Sequence, residues 1–220
     1  MKRHIVCLGD SNTHGYCADP SDCADGKLLR YNEQERWTCL LQSALGDEYL
    51  VVEEGLSGRT TVFNDPLFEG LSALDYVYPC LKSHEPVSLL VIMLGTNDTK
   101  ERFHANAAII GLGMQRLIRK ARAIDCWEPG GTPNILVMAP PAIGEGIRRC
   151  EAGVTMGYAC AEISRQVAHH LKLAAEATDA HYLDTTQVGA EFNTVDYMHL
   201  TKRAHARLAD ALSTLIPSLI

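Results

Sequence analysis

The chain has 220 residues, 46% of them apolar, and its 20 basic and 27 acidic side chains leave a formal charge of −7. That length predicts one domain over residues 1–220, large enough to bury roughly 70% of its unfolded surface. The acidic balance argues against nonspecific binding to nucleic acid or anionic membranes, and no apolar stretch approaches the ~20 residues of a membrane span.

In chain order, a first strand is predicted over about 3–8. Its apolar run Ile5-Val6-Cys7-Leu8 closes on Gly9-Asp10-Ser11-Asn12. An apolar run closed by glycine reads as a buried strand ending in a sharp turn. A polar, weakly periodic segment follows over 17–32, then a helix over 33–45. The second strand, 49–53, ends in Gly55-Leu56-Ser57-Gly58, and a helix follows over 70–84. The third, 87–94, ends in Gly95-Thr96-Asn97-Asp98, before a helix over 104–125. A turn-rich loop, 126–133, leads to the fourth strand, 134–139. The segment 140–146 then leaves the carboxyl edge of the sheet, where it is expected to wall a site. A helix over 154–177, a fifth strand over 181–184 and a last helix over 201–215 complete the chain. Strands alternating with helices predict an α/β fold, a parallel sheet covered on both faces. Its crossovers should be right-handed.

Four polar segments carry chemistry. The turn after the first strand lifts the Ser11 hydroxyl to the carboxyl edge, where open α/β sheets place their sites. A serine hydroxyl attacks poorly without a base to take its proton. Asp196-Tyr197-Met198-His199 supplies one: His199 as base, and Asp196 to fix its tautomer and orientation. Asn97 ends the third strand, where a side-chain amide can donate to a developing oxyanion. Gly58 lies in a turn where a glycine can present a bare backbone N–H. Each segment alone is ordinary turn composition.

Together and in this order, the four segments resemble the SGNH hydrolases, the GDSL-type esterases and lipases, named for Ser, Gly, Asn and His in four blocks. The resemblance implies a three-layer flavodoxin-like fold with strand order 2-1-3-4-5. It implies Ser11 as nucleophile, Asp196 and His199 as the rest of a triad, and an oxyanion hole of Ser11, Gly58 and Asn97. Glu53 to Thr61 and Met93 to Lys100 further resemble the arylesterase and acyltransferase branch, which implies homo-oligomers with contacts built by segments such as 17–32 and 126–133. Two departures are visible. Asn12 makes the motif GDSN rather than GDSL, and His14 and Tyr16 stand where that branch carries tryptophans.

The function expected is hydrolysis of short-chain aryl or alkyl esters through an acyl-enzyme, with acyl transfer to alcohols as a further activity. A carbohydrate acetylesterase or thioesterase is the alternative within the same chemistry. A non-catalytic flavodoxin-like binding module is the alternative outside it. Asn12, Tyr16, Leu56, Lys100, Ile143 and Met198 neighbour the motifs and are candidate pocket residues. The polar character of Asn12, His14, Arg59 and Lys100 argues for short acyl groups. The chemistry needs no metal or organic cofactor. His169 and His170 are adjacent and diverge on a helix, so they make no metal pair. The partner expected is a small-molecule ester, with neither nucleic acid nor membrane. Of the eight cysteines, Cys17 and Cys23 flank a polar loop and are expected to be exposed. Because the first strand is predicted to begin almost at once, no signal peptide is expected before Ile5, and reduced thiols in a cytoplasmic protein are the expectation.

Overall fold

The computed structural model describes residues 1–24 and 29–220; the part of the 17–32 loop at 25–28 lies outside the described residues. Five parallel strands form one sheet in the order β2-β1-β3-β4-β5. They are β1 (Arg3–Gly9), β2 (Tyr49–Gly55), β3 (Val87–Met93), β4 (Ile135–Ala139) and β5 (His181–Asp184). Val6 pairs with Val52 on one side and Leu90 on the other.

Alternate residues of each strand face opposite sides of the sheet. Val6, Leu8, Leu90, Ile92 and Val137 enter one core layer, while Ile5, Cys7, Leu89, Val91 and Met138 enter the other. The chain also forms a one-turn helix α1 (Ser11–His14) and a helix α2 (Trp37–Leu45). Three further helices, α3 (Ala73–Ser83), α4 (Ala107–Arg122) and α6 (Cys160–Glu176), cover the first face. The short α5 (Glu151–Met156) precedes α6, and α7 (Lys202–Leu215) joins α2 over the second face. Central strands buried on both sides need apolar residues at every position, which is why β3 reads as an unbroken apolar run.

Helix ends differ from the sequence expectation where side chains cap or break the backbone. Asn106 accepts from the N–H of Ile109 and starts α4 three residues later than periodicity suggests. The predicted helix over 154–177 is two helices, because Gly157 adopts φ 83 and ends α5. The start of α2 shifts to Trp37, since the Arg36 guanidinium is drawn to the carboxylates of Glu53 and Glu33.

Cys17 and Cys23 are buried, not exposed, at 0% and 6% accessibility. The Tyr16 to Arg30 bridge folds the polar loop over them and Tyr31, and their thiols donate to the carbonyls of Asp19 and Arg30. The described part of the loop carries its own small apolar centre. All eight cysteines are free.

Candidate active site

The carboxyl ends of β1, β2 and β3 meet at one edge of the sheet, and each hands the chain to a turn. Gly9 ends β1 where a Cβ would fall 2.0 Å from the Thr13 hydroxyl, so only glycine permits the turn. Asp10 caps α1 by accepting from the N–H of Asn12 at 2.9 Å. Ser11 is thereby the first residue of a helical turn and its side chain faces a cavity. Its Oγ lies 2.8 Å from Nε2 of His199. On the far side of that ring, Nδ1 lies 2.5 Å from Oδ2 of Asp196.

The loop that delivers Asp196 and His199 is held by hydrogen bonds rather than by a helix. Oδ1 of Asp196 accepts from the backbone N–H groups of Met198 and His199, each at 3.1 Å. Asn193 forms an Asx turn, accepting from the N–H groups of Val195 and Asp196 while its amide donates to Asp196 Oδ1 and the His199 carbonyl. Tyr197 takes a left-handed conformation, φ 62, to turn the chain between the two. Burial opposes ionisation of Asp196, yet its bond to His199 holds its pKa below the usual carboxylate value. The tautomer is thus set with Nδ1–H on Asp196, leaving Nε2 to accept from Ser11.

Gly58 adopts φ 89 and Asn97 begins a short 3-10 turn; both border the same cavity as Ser11. Among the described residues, the backbone N–H groups of Ser11 and Gly58 have no protein acceptor. One N–H of the Asn97 amide reaches Oδ2 of Asp10 at 3.4 Å, which sets the rotamer and leaves the other free. The carboxyl of Asp98 accepts from the N–H and hydroxyl of Thr61, tying the Asn97 turn to the Gly58 turn. Burial raises the pKa of both Asp10 and Asp98 to about 6.

The cavity has a volume of about 520 Å³. Tyr16, Leu56, Lys100 and Met198 line it, as do Phe68, Leu71, Thr155 and Met156. Tyr16 also stacks on His199, with ring centroids 4.4 Å apart. Asn12 and Ile143 do not line it. Asn12 is 1% exposed, and its amide donates to the Met198 carbonyl and accepts from Leu200 N–H, fastening both flanks of His199. That contact is what Asn12 provides in place of a leucine. Ile143 is 2% exposed and packs with Ile147, Met156 and Cys160. The 140–146 segment supports the His199 loop, through Gly144 N–H to the Tyr197 carbonyl, and α5 forms the wall expected of it. His14 and Arg59 are also absent from the wall. Arg59 turns inward instead, donating to the carbonyls of Gly9 and Glu54 at the ends of β1 and β2.

Sequence reasoning missed the supporting groups Asp10, Arg59, Asp98 and Asn193. Asp10 and Asp98 lie inside the motifs themselves, and Asn193 three residues before Asp196 carries an Asx-turn signal. The cavity residues Phe68, Leu71 and Met156 gave no signal, because they come from loops and a short helix that only folding brings near. Among the described residues, no group of three or more His, Cys, Asp or Glu side chains gathers to hold a metal ion, and no helix is long and apolar enough to cross a membrane.

The GDSL-like lipase/acylhydrolase family matches residues 7–207, and the chain belongs to that family of ester hydrolases. Its structure is similar to the native aryl esterase of M. smegmatis, at 30% identity, 99% coverage of this chain and 100% of that one, and a TM-score of 0.87. It is also similar to Est24, a carbohydrate acetylesterase from Sinorhizobium meliloti, at 31% identity, full coverage of both chains and a TM-score of 0.85. A lipolytic protein of the G-D-S-L family from Veillonella parvula shares the fold alone, at 15% identity, 99% coverage of this chain, 100% of that chain, and a TM-score of 0.65. No curated protein sequence matches the chain.

Proposed function

We propose that the protein hydrolyses small carboxylic esters through an acyl-enzyme on Ser11. The observation that carries this is the line from Ser11 Oγ to His199 Nε2, 2.8 Å, opening directly on the cavity. Ser11 attacks the ester carbonyl as His199 takes its proton. The N–H groups of Ser11 and Gly58 and the amide of Asn97 hold the oxyanion. The alkoxide leaves with the proton from His199, and water reverses the sequence to release the acid. Labelling of Ser11 by a fluorophosphonate, lost on Ser11→Ala, tests the nucleophile; labelling of another residue alone refutes it.

Acyl length is limited by volume rather than by a polar border. Leu56, Phe68, Leu71, Met156 and Met198 make much of the wall apolar, and each buried methylene contributes about 0.8 kcal/mol where it finds them. A cavity of about 520 Å³ suits a small ligand, and a long chain would leave its end on the open rim. Acetyl to hexanoyl 4-nitrophenyl esters should therefore exceed dodecanoyl in kcat/KM. A steady climb to dodecanoyl would overturn this limit. The apolar flank of Tyr16 and Met198 beside His199 also favours an alcohol over water as acceptor, and benzyl alcohol with a vinyl ester in water tests that by ester formation.

A second reading, a carbohydrate acetylesterase, is favoured by a second groove of about 560 Å³ that runs past His199 to Glu151 and Val195, where a hydroxylated alcohol finds acceptors. Release of acetate from acetylated sugars tests it. We also place the protein in the cytoplasm as a closed homo-oligomer. The free thiols support the first. Exposed Leu67, Phe68, Val154 and Tyr158 support the second. A monomer mass by light scattering at micromolar concentration would exclude assembly.

A further inference from the structure

Among the described residues, Lys100 is the one lysine in the cavity wall, and it is only 4% exposed. A lysine ammonium carries three donors. One goes to Oδ2 of Asp65 at 3.2 Å. That oxygen is shared, because Arg102 donates to it from Nε at 3.3 Å and from Nη2 at 3.2 Å. The other Asp65 oxygen accepts from the N–H of Leu67 at 3.0 Å. Of the deeper carboxyls, Asp10 is engaged by Asn12 and Asn97, and Asp98 by Thr61. Among the described residues, two of the ammonium's donors therefore have no protein acceptor. Donors without a protein acceptor at a cavity wall are met by water, and a ligand oxygen at that point would take the place of that water.

The position of the ammonium says which part of a substrate it meets. Nζ lies 3.9 Å from where a Cβ would stand on Gly58, so it borders the oxyanion side of the cavity. The cavity and the second groove share Tyr16, Ala152, Thr155, Met198 and His199, and Lys100 belongs to the cavity alone. His199 must hand its proton to the leaving oxygen, so the alcohol departs along the groove. The acyl group then occupies the arm of Gly58, Leu71 and Lys100.

The geometry points to Lys100 as a specificity residue that reads an acceptor oxygen on the acyl chain, a carboxylate above all, beyond the scissile carbonyl. The assignment of the arm rests on the Ser11 acyl-enzyme reading. Glu69 also borders the cavity; it is exposed, and among the described residues it makes no ion pair with Lys100, whose partner is Asp65.

Two ester pairs test the inference by kcat/KM, each corrected for hydroxide-catalysed rates. Monoethyl glutarate is compared with ethyl 5-methylhexanoate, in which an isopropyl group replaces the carboxylate. Ethyl methoxyacetate is compared with ethyl butyrate as the neutral pair. The wild type should favour the oxygen-bearing member of each pair. Lys100→Met, which leaves Asp65 paired with Arg102, should cut the glutarate preference about 10- to 100-fold, the range of a charge-assisted hydrogen bond. It should cut the ether preference less, and Lys100→Gln should recover part of the ether preference. Unchanged ratios, an equal loss on all four esters, or a wild-type preference for the hydrocarbon members would overturn the role. Calorimetric binding of monoethyl glutarate to Ser11→Ala, with and without Lys100→Met, separates this from the esterase reading. A weakening by about 10-fold or more supports the acyl-side role even if no ester is turned over. Equal affinity refutes it even if every ester is hydrolysed.

Discussion

Replacing Asp98 by Asn removes a buried charge and keeps its hydrogen-bonding shape. Asp98 is 0% exposed, and its carboxyl accepts from the Thr61 N–H at 2.9 Å and from the Thr61 hydroxyl. Burial raises its pKa from 3.8 to about 6 against the pull of those bonds, and the Asp10 carboxyl adds to the rise. Between these two values the native state binds more protons than the unfolded state, so wild-type stability falls as pH rises through the window and levels off above it. At ~1.4 kcal/mol per pH unit, the interval from 3.8 to about 6 sets a ceiling of about 3 kcal/mol on that loss. An asparagine has no such dependence. Asp10 titrates in the same window in both proteins, so its own penalty largely cancels in the comparison. Urea unfolding of wild type and Asp98→Asn from pH 4 to pH 8, with equal m-values, should show the variant gaining about 2–3 kcal/mol on the wild type between pH 4 and pH 7. A difference that stays constant with pH, or shrinks as pH rises, would refute the claim that burial governs this carboxyl.

Ser11→Ala should lower ester turnover by at least ~10³-fold with the unfolding midpoint preserved, measured by steady-state kinetics and calorimetry. Asn97→Ala should cost about 10²–10³ in kcat with little change in KM, because the amide acts on charge that develops only in the transition state; an effect confined to KM would remove it from the oxyanion hole. Asn193→Ala strips the Asx turn under Asp196 and should destabilise the fold by about 1–3 kcal/mol while reducing kcat; full activity at unchanged stability would show the loop is held by other means. Gly146→Ala would place a Cβ 2.2 Å from the Tyr197 ring, and should cost about 1–3 kcal/mol and lower activity by displacing the His199 loop. A wild-type melting temperature in that variant would contradict the tight fit.

Most of the strands were legible in the sequence because they are local apolar runs, and the turns after them because glycine and short polar residues mark them; their order in the sheet was implied only by the family resemblance. Ser11, Gly58, Asn97, Asp196 and His199 are candidates only as a set: each sits in an ordinary polar turn, and it is the four segments in this order that resemble a known family. What the sequence left open depended on partners far along the chain. Asn12 reads as a pocket residue until the fold sets its amide against Met198 and Leu200, 186 and 188 positions away. Cys17 and Cys23 read as exposed until the loop closes over them with Tyr31. The cavity itself joins Leu56 and Phe68 with Lys100, Met156 and Met198 from four separate connections. Local propensity fixes where strands and turns fall, since it needs only neighbours within a few residues. Side-chain direction and the shape of the site are decided when distant segments compete for the same space, and only the tertiary structure states which of them won.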